Sequence, residues 1–404
     1  MINTDPKKIE EILTRSVQTI LPSKDLFKKE LLSGKKLRIY VGADATGTKL
    51  HIGHATNFMI LERLRQLGHE VIVLFGDFTA QIGDPSGKEA ERKALTESEV
   101  KQNLKTWRNQ ISKITKIGGF NNGVKIVRNS KWLSRMNFSD VARLASNFTV
   151  QQMLERDMFQ KRISEQKPIY LHELFYPLMQ GQDSVVLDVD VEIGGNDQTF
   201  NMLVGRTLQK IKRNKEKFVV ATTLLVNPKT EKKLMNKSEG SIIGLDDEYN
   251  DMFGKIMALP DETIIQVFID CTYVPMQEID KLKREMEDGA NPRNIKARLA
   301  KEVVTIYHGK EKAEKAEENF IETFKKGGLP ENLDEIKSER GKLLSEALVG
   351  AKIVDSKSEF RRLSTEGAIS DAVSGDKIID PNYKIDKNIT LKVGKKRFVK
   401  IITN

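Results

Sequence analysis

The sequence contains a single cysteine, Cys271, among 404 residues, which excludes a disulfide framework within the chain. Its five histidines, His51, His54, His69, His172 and His308, are not spaced like zinc ligands, and Cys271 has no companion for a metal set. No apolar run approaches the length that crosses a bilayer. The opening MINTDPKKIEEIL carries charges of both signs and lacks the apolar core of a secretory signal. A nucleotide-binding P-loop is also missing. The nearest approach, Gly83-Asp84-Pro85-Ser86-Gly87-Lys88, reads as a turn, with Glu89 where the P-loop hydroxyl belongs. These absences predict a cytoplasmic protein with no membrane segment and no metal site of its own.

Charge is what the chain does have. Lys and Arg number 67 against 57 Asp and Glu, a net charge of +10. That balance favours a polyanionic partner without separating RNA, DNA or an anionic membrane. The length predicts two to four domains with a sizeable core.

The chain is organised around Leu37–Leu67, LRIYVGADATGTKLHIGHATNFMILERLRQL. Leu37–Val41 reads as a buried strand. A turn follows, then a helix from His51, with apolar residues at helical spacing until Gly68. His51 and His54 sit three apart on one face of its first turn. Gly53 between them permits close approach of a ligand or another backbone. A helix start offers unpaired N–H groups and a positive dipole end to an anion. Two readings stay open here: phosphate contact, or two histidines acting as local caps.

Residues 5–35 read as a helical leading arm. Glu70–Phe78 is a second buried strand, so strand, helix and strand form a parallel βαβ unit. A helix over 96–116 and a strand at Lys125–Ser130 follow. Residues 131–187 read as helices and loops inserted between two halves of the sheet. Asp188–Ile193 and Phe218–Leu225 complete an open α/β sheet whose strand ends face a crevice. The expected domains are 1–226 (insertion about 131–187), a loop at 227–245, a helical domain at 246–330 and a terminal module at 337–404. In the helical part, Asn291, Pro292 and Gly309 punctuate one helix. In the tail, Ser356 and Glu359 predict a capping box, and Ile389–Ile402 a hairpin around Gly394-Lys395. Lys384–Asn404 holds seven Lys or Arg and one Asp, which fits either a phosphate-tracking surface or a solvated charged face.

IYVGADATGTKLHIGH, IGDPSGK, the Tyr176/Gln180/Asp183 triplet, IGGNDQTFN and LMNKS occur in this order. With that set the chain closely resembles the bacterial-type tyrosyl-tRNA synthetases over nearly its full length. The resemblance implies an α/β fold: a Rossmann-like parallel-sheet catalytic domain with an inserted helical region, an α-helical anticodon-binding domain and a small α+β RNA-binding domain. It implies activation of tyrosine by ATP (with the Mg2+ that ATP carries), transfer to tRNA(Tyr), and a homodimer formed through the insertion.

Residue by residue, the resemblance implies that Asp183 and Tyr40 meet the substrate phenol. Tyr176, Gln180 and Asp84 surround its ammonium, assisted by Asp44, and Gln198 lies near the reacting carboxylate. It implies ATP contacts at Gly42, Thr46, His51, Gly53, His54, Gly195, Asp197, Met235 and Lys237, with His51, His54 and Lys237 catalytic. Tyr176, Gln180 and Asp183 fall at i, i+4 and i+7, one helical stripe, which reads either as a ligand-facing set or as ordinary helix surface. The lysine motif departs from the family's KMSKS: Leu234 stands at its first lysine and Asn236 at its serine. Lys232 or Lys233 is the available replacement. That departure keeps open an RNA-binding relative without activity, and the shared scaffold keeps open a tryptophanyl enzyme, although Tyr40 with Asp183 suits a phenol better than an indole.

Overall fold

A six-stranded sheet organises the first part of the chain, in the order β1-β6-β5-β2-β3-β4. Its strands are β1 (Val17–Leu21), β2 (Arg38–Asp44), β3 (Glu70–Gly76), β4 (Lys125–Arg128), β5 (Val191–Gly195) and β6 (Phe218–Thr222). In this computed structural model residues 2–86, 95–118, 122–235, 242–325, 333–372, 376–394 and 397–403 are described. They form two compact units, Met1–Lys310 and Glu311–Asn404.

Strands β2 to β6 are parallel, as the apolar runs predict. The leading arm is not an arm. It contains α1 (Pro6–Thr14), β1 and α2 (Lys24–Leu32), and β1 adds an antiparallel edge beside β6. Only Ile20 of β1 is buried, so five residues with one inward side chain gave the sequence no period to read. At its other end, β5 begins later than expected. Asp188 instead ends the preceding helix in the left-handed region, at φ 50°.

Helix α3 (Ile52–Gln66) crosses from β2 to β3. Its apolar stripe is buried, with Ile52, Ala55, Met59, Leu61 and Leu64 at 0% exposure. Each of the Ile, Met and Leu side chains contributes about 1.5–3 kcal/mol when taken from water. Short α4 (Thr79–Ile82) and long α5 (Glu97–Ser112) follow β3. Between β4 and β5 lie α6 (Ser130–Leu133), α7 (Phe138–Ala145), α8 (Val150–Leu154), α9 (Asp157–Ser164) and α10 (Leu171–Leu187). Helix α11 (Thr199–Arg213) joins β5 to β6 and packs closely on α10. There a Cβ at Gly181 would lie 2.7 Å from Leu208 Cδ1, so the glycine sets the approach of the two helices.

The same unit continues through α12 (Tyr249–Met257), α13 (Ile264–Cys271), α14 (Met276–Glu287) and α15 (Pro292–His308). Asn291 caps α15 by accepting the Arg293 N–H at 3.0 Å, and Gly309 ends it at φ 86°. Helix α13 packs on α3. Cys271 belongs to that contact, fully buried with Sγ 3.6 Å from the Ile52 carbonyl oxygen, and burial pushes its thiol pKa up. It is a core side chain.

The second unit opens with α16 (Lys310–Lys325) and continues with β7 (Asp334–Ser338), α17 (Leu344–Gly350), α18 (Lys357–Thr365), β8 (Ile369–Asp371), β9 (Ile389–Val393) and β10 (Arg397–Thr403). Its sheet runs β7-β10-β9-β8. The expected hairpin is present as antiparallel β9 and β10, although Lys395 in its turn lies outside the described residues. The capping box is modified. Ser356 Oγ accepts the Glu359 N–H at 3.1 Å, but the Glu359 carboxylate reaches the Asp355 N–H at 2.7 Å. Leu348, Phe360, Leu391, Val399 and Ile401 are fully buried between helices and sheet. Among the described residues no helix is long and apolar enough to cross a membrane.

One side chain ties the N-terminal segment to α13. Arg15, 1% exposed, donates to four carbonyl oxygens at or just beyond the end of that helix: Phe268, Ile269, Thr272 and Val274. Arg15→Ala strips partners from buried carbonyls and is expected to lower stability by about 3 kcal/mol in denaturant unfolding. An unchanged midpoint would contradict this role.

Candidate active site

Strand β2 sits where the sheet changes direction, with β3 and β4 on one side and β5 and β6 on the other. Parallel sheets open a crevice at the carboxyl ends of their strands at such a point. A cleft of about 360 Å3 lies there. It gathers Tyr40, Gly42, Asp44 and Thr46 from β2 and its turn, and His51, Gly53 and His54 from the start of α3. Asp84 lines it too, as do Tyr176, Gln180 and Asp183 from α10, Gly195, Asp197 and Gln198 after β5, and Met235. Every site residue expected from the sequence and described in the structure is in this one cleft. Lys237 lies outside the described residues, as do Gly87 and Lys88.

At the mouth, His51 is the N-cap residue of α3. His54 Nδ1 accepts the His51 N–H at 3.1 Å, and the two ring centroids stand 3.7 Å apart. Capping and cleft lining are therefore both true of this pair. A Cβ at Gly53 would meet His51 Nδ1 at a tight 3.1 Å and Met235 Cγ at an ordinary 3.6 Å. The stretch bearing the lysine motif is fastened at both ends. Leu234 N–H donates to the Leu225 carbonyl at 2.8 Å, Ile52 N–H to the Ile243 carbonyl at 3.1 Å, and Leu245 N–H to the Leu50 carbonyl at 2.9 Å. Beside it, Lys233 Nζ rests 2.9 Å from Asp197 Oδ2.

The deep part of the cleft is acidic. Asp44 accepts from Thr79 Oγ1 at 2.6 Å and from the Tyr176 hydroxyl at 3.0 Å. Asp84 accepts from the Ser86 N–H at 3.0 Å and from Gln198 Nε2 at 2.7 Å. Asp183, 2% exposed, accepts from Trp132 Nε1 at 2.7 Å and Asn129 Nδ2 at 3.2 Å. Burial pushes the Asp183 carboxyl well above the usual carboxylate range. Those two donors pull it back, while Glu192 and Asp44 add to the rise. Burial, then nearby carboxylates, also raises the Tyr40 and Tyr176 phenols and keeps both neutral. Tyr40 is fully buried, its hydroxyl 3.0 Å from Ser184 Oγ.

Of the groups that hold these carboxylates, the sequence reading named Tyr176 and Gln198 and missed the others. Asn129 directly follows β4, so the rule that strand ends face the crevice could have found it. Trp132, Thr79 and Ser184 carry no local signal. Glu192 is visible only as an acid inside an apolar strand, and Lys217 only as a charge before one. Gly76, at the end of β3, is a further case: a Cβ there would fall 2.0 Å from Asp44 Oδ1 and 2.4 Å from Thr79 Oγ1. Gly76→Ala is expected to separate Asp44 from Thr79 and to destabilise the first unit by about 1–3 kcal/mol in denaturant unfolding. A wild-type midpoint would remove this packing account.

The family model "tRNA synthetases class I (W and Y)" matches residues 32–325. Among curated relatives, the tyrosine–tRNA ligase of Carboxydothermus hydrogenoformans is 44% identical over 98% of each chain. That of Haemophilus influenzae is 41% identical over 99% of this chain and 98% of its own. A C-terminally truncated mitochondrial tyrosyl-tRNA synthetase from Coccidioides posadasii superposes with a TM-score of 0.61 at 25% identity, covering 78% of this chain and 90% of that one. The histidine-capped helix and the acidic cleft at the sheet's switch point thus sit in a chain that belongs to the class I tRNA synthetases, among the tyrosyl-tRNA synthetases.

Proposed function

We propose that the chain is a tyrosine–tRNA ligase, which joins L-tyrosine to ATP as tyrosyl-adenylate and then transfers the tyrosyl group to the 3′-terminal ribose of tRNA(Tyr). The observation that carries the assignment is that Asp183 and Tyr40, both buried, line the same cavity as the start of α3. A phenolic hydroxyl entering there gives its hydrogen to an acceptor, whereas phenylalanine leaves buried acceptors without a partner. Sites built around a substrate hydroxyl reject the analogue lacking it, a rule for which this enzyme family is itself the standard illustration. Asp44, Asp84, Tyr176 and Gln180 supply the polar surround for the ammonium group.

In the first step a carboxylate oxygen of tyrosine attacks the α-phosphorus of ATP. An O–P bond forms, the bond to the β-phosphate oxygen breaks, and the electron pair leaves with pyrophosphate. The carboxylate is already ionised at neutral pH, so no general base is needed. Catalysis reduces to alignment and to stabilising charge on the departing group. ATP enters with its Mg2+ as substrate. In this reading the α3 start with Thr46, His51 and His54 faces the phosphates, Asp197 holds the ribose and Gln198 lies by the reacting carboxylate. Gly42, Gly53 and Gly195 leave room for the nucleotide, Met235 packs against it, and Lys237 meets the phosphates as charge builds.

In the second step a ribose hydroxyl of the tRNA attacks the adenylate carbonyl and AMP leaves. We assign 246–330 to the anticodon arm and 337–404 to a further RNA contact. The support for the latter is the basic excess of Lys384–Asn404, of which Lys392, Arg397 and Lys400 lie on sheet strands, suited to phosphates. A homodimer through the insertion is supported by exposed apolar side chains on that stretch, with Phe138 at 88%, Leu171 at 68% and Val150 at 61%.

ATP–pyrophosphate exchange tests the assignment. Exchange should depend on tyrosine, and Tyr40→Phe or Asp183→Asn should weaken tyrosine use while ATP binding persists; exchange driven by tryptophan, or none beside tRNA binding, would overturn it. Lys237→Ala should slow single-turnover adenylate formation with little change in tyrosine affinity. A normal rate would remove Lys237 from the reaction and leave the altered motif unexplained.

A further inference from the structure

In the wall of the cleft and just behind it, side chains from four places in the sequence meet: Tyr40 on β2 and Glu192 on β5, which line the cavity, with Ser184 on α10 and Lys217 just ahead of β6. Lys217, Ser184 and Tyr40 are at 0% exposure and Glu192 at 2%. Tyr40 and Glu192 are register partners on adjacent strands, so they leave the sheet side by side. Lys217 forms an ion pair with Glu192 Oε2 and donates to Ser184 Oγ at 2.9 Å. Ser184 Oγ lies 3.1 Å from Glu192 Oε2 and 3.0 Å from the Tyr40 hydroxyl. On its other oxygen, Glu192 accepts from Gln180 Nε2 at 2.9 Å.

Donor counting fixes the hydrogens in this network. An ammonium only donates, so Ser184 accepts from Lys217. A carboxylate only accepts, so the single Ser184 hydrogen goes to Glu192. Ser184 can then only accept from Tyr40, and the Glu192 carboxylate is a second acceptor for the same hydroxyl, so the Tyr40 hydrogen points away from the cleft. Toward the cleft Tyr40 presents an acceptor and nothing else. The same carboxylate turns the Gln180 NH2 toward itself, which sets the Gln180 carbonyl oxygen on the opposite side of the amide.

The fold makes room for this arrangement. A Cβ at Gly205 on α11 would lie 2.5 Å from Lys217 Nζ and 2.8 Å from Ser184 Oγ, so α11 lacks a side chain where the ammonium crosses. Burial pulls the Lys217 pKa down and Glu192 opposes the fall. Buried ion pairs seldom stabilise a fold better than an apolar pair of the same size, so this one calls for a role other than stability.

We propose that the Lys217–Glu192 pair, acting through Ser184, holds Tyr40 as a hydrogen-bond acceptor toward the amino-acid ring, so that the cavity selects a ring bearing a hydrogen-bond donor at that position. The inference rests on the reading that Tyr40 and Asp183 meet the substrate phenol. Lys217, Glu192 and Ser184 are positioning residues, and Gly205 admits them.

The test compares 4-aminophenylalanine, a donor at the ring position, with 4-fluorophenylalanine, an acceptor of similar size, by kcat/KM in pyrophosphate exchange on the full chain. In Ser184→Ala the Tyr40 hydrogen loses its Ser184 acceptor and is held by Glu192 alone, and the amino-to-fluoro ratio should fall, by up to about tenfold, the worth of one hydrogen bond. Gly205→Ala, which displaces the ammonium without touching the cleft, should move the ratio the same way, and neither change should alter it further in a Tyr40→Phe background. A merely structural role lowers both substrates alike and leaves the ratio unchanged. A ratio that falls in Tyr40→Phe but not in Ser184→Ala or Gly205→Ala overturns this inference alone. A ratio untouched by Tyr40→Phe overturns the reading of the cavity, and the inference with it.

Discussion

Crowded carboxylates in a shielded cleft are the constraint on which this structure depends. Asp44, Asp84, Asp183 and Glu192 lie at or just behind one cavity, and a buried carboxylate without partners is far too costly to keep. The fold answers each one separately. Neutral hydroxyl, amide and indole donors meet Asp44, Asp84 and Asp183, and a buried ammonium meets Glu192. The result is a cavity with much acceptor capacity in a low-dielectric setting. In the proposed reading, the group that completes it carries a cation at one end and a hydroxyl hydrogen at the other. An amino acid with a phenol side chain has both.

Topology brings those groups together. The change of direction at β2 opens the crevice, and the carboxyl ends of β2, β3 and β5 deliver Asp44, Gly76 and Gly195 to its floor. Helix α10 lays the Tyr176, Gln180 and Asp183 stripe over that floor, and its close packing on α11 through Gly181 and Gly205 fixes how deep the stripe sits. At the other end of the cleft the start of α3 and the residue before its cap are hydrogen-bonded to Ile243 and Leu245.

What was legible in the sequence was local. The strand and helix around His51 and His54, the α10 stripe and the Asn291–Gly309 helix all show themselves through spacing within one element, and the structure places them accordingly. Contacts that depend on strand order were not legible. Lys217 reaches Glu192 because β6 lies beside β5, and Trp132 reaches Asp183 across the insertion; no local period encodes either. Edge strand β1 escaped for a different reason, since one buried residue in five makes no pattern. Where the sequence posed histidine caps and phosphate contact as alternatives, the geometry shows capping and cleft lining in the same two side chains.

The central claim is that this cleft reads an ammonium and a ring hydroxyl together. Calorimetric titration of the full chain with L-tyrosine, tyramine, L-phenylalanine and 3-(4-hydroxyphenyl)propionate addresses it directly. The account expects tyrosine and tyramine to bind, and phenylalanine and the propionate to give no saturation at concentrations where tyrosine saturates. Phenylalanine or the propionate binding as tightly as tyrosine would contradict it.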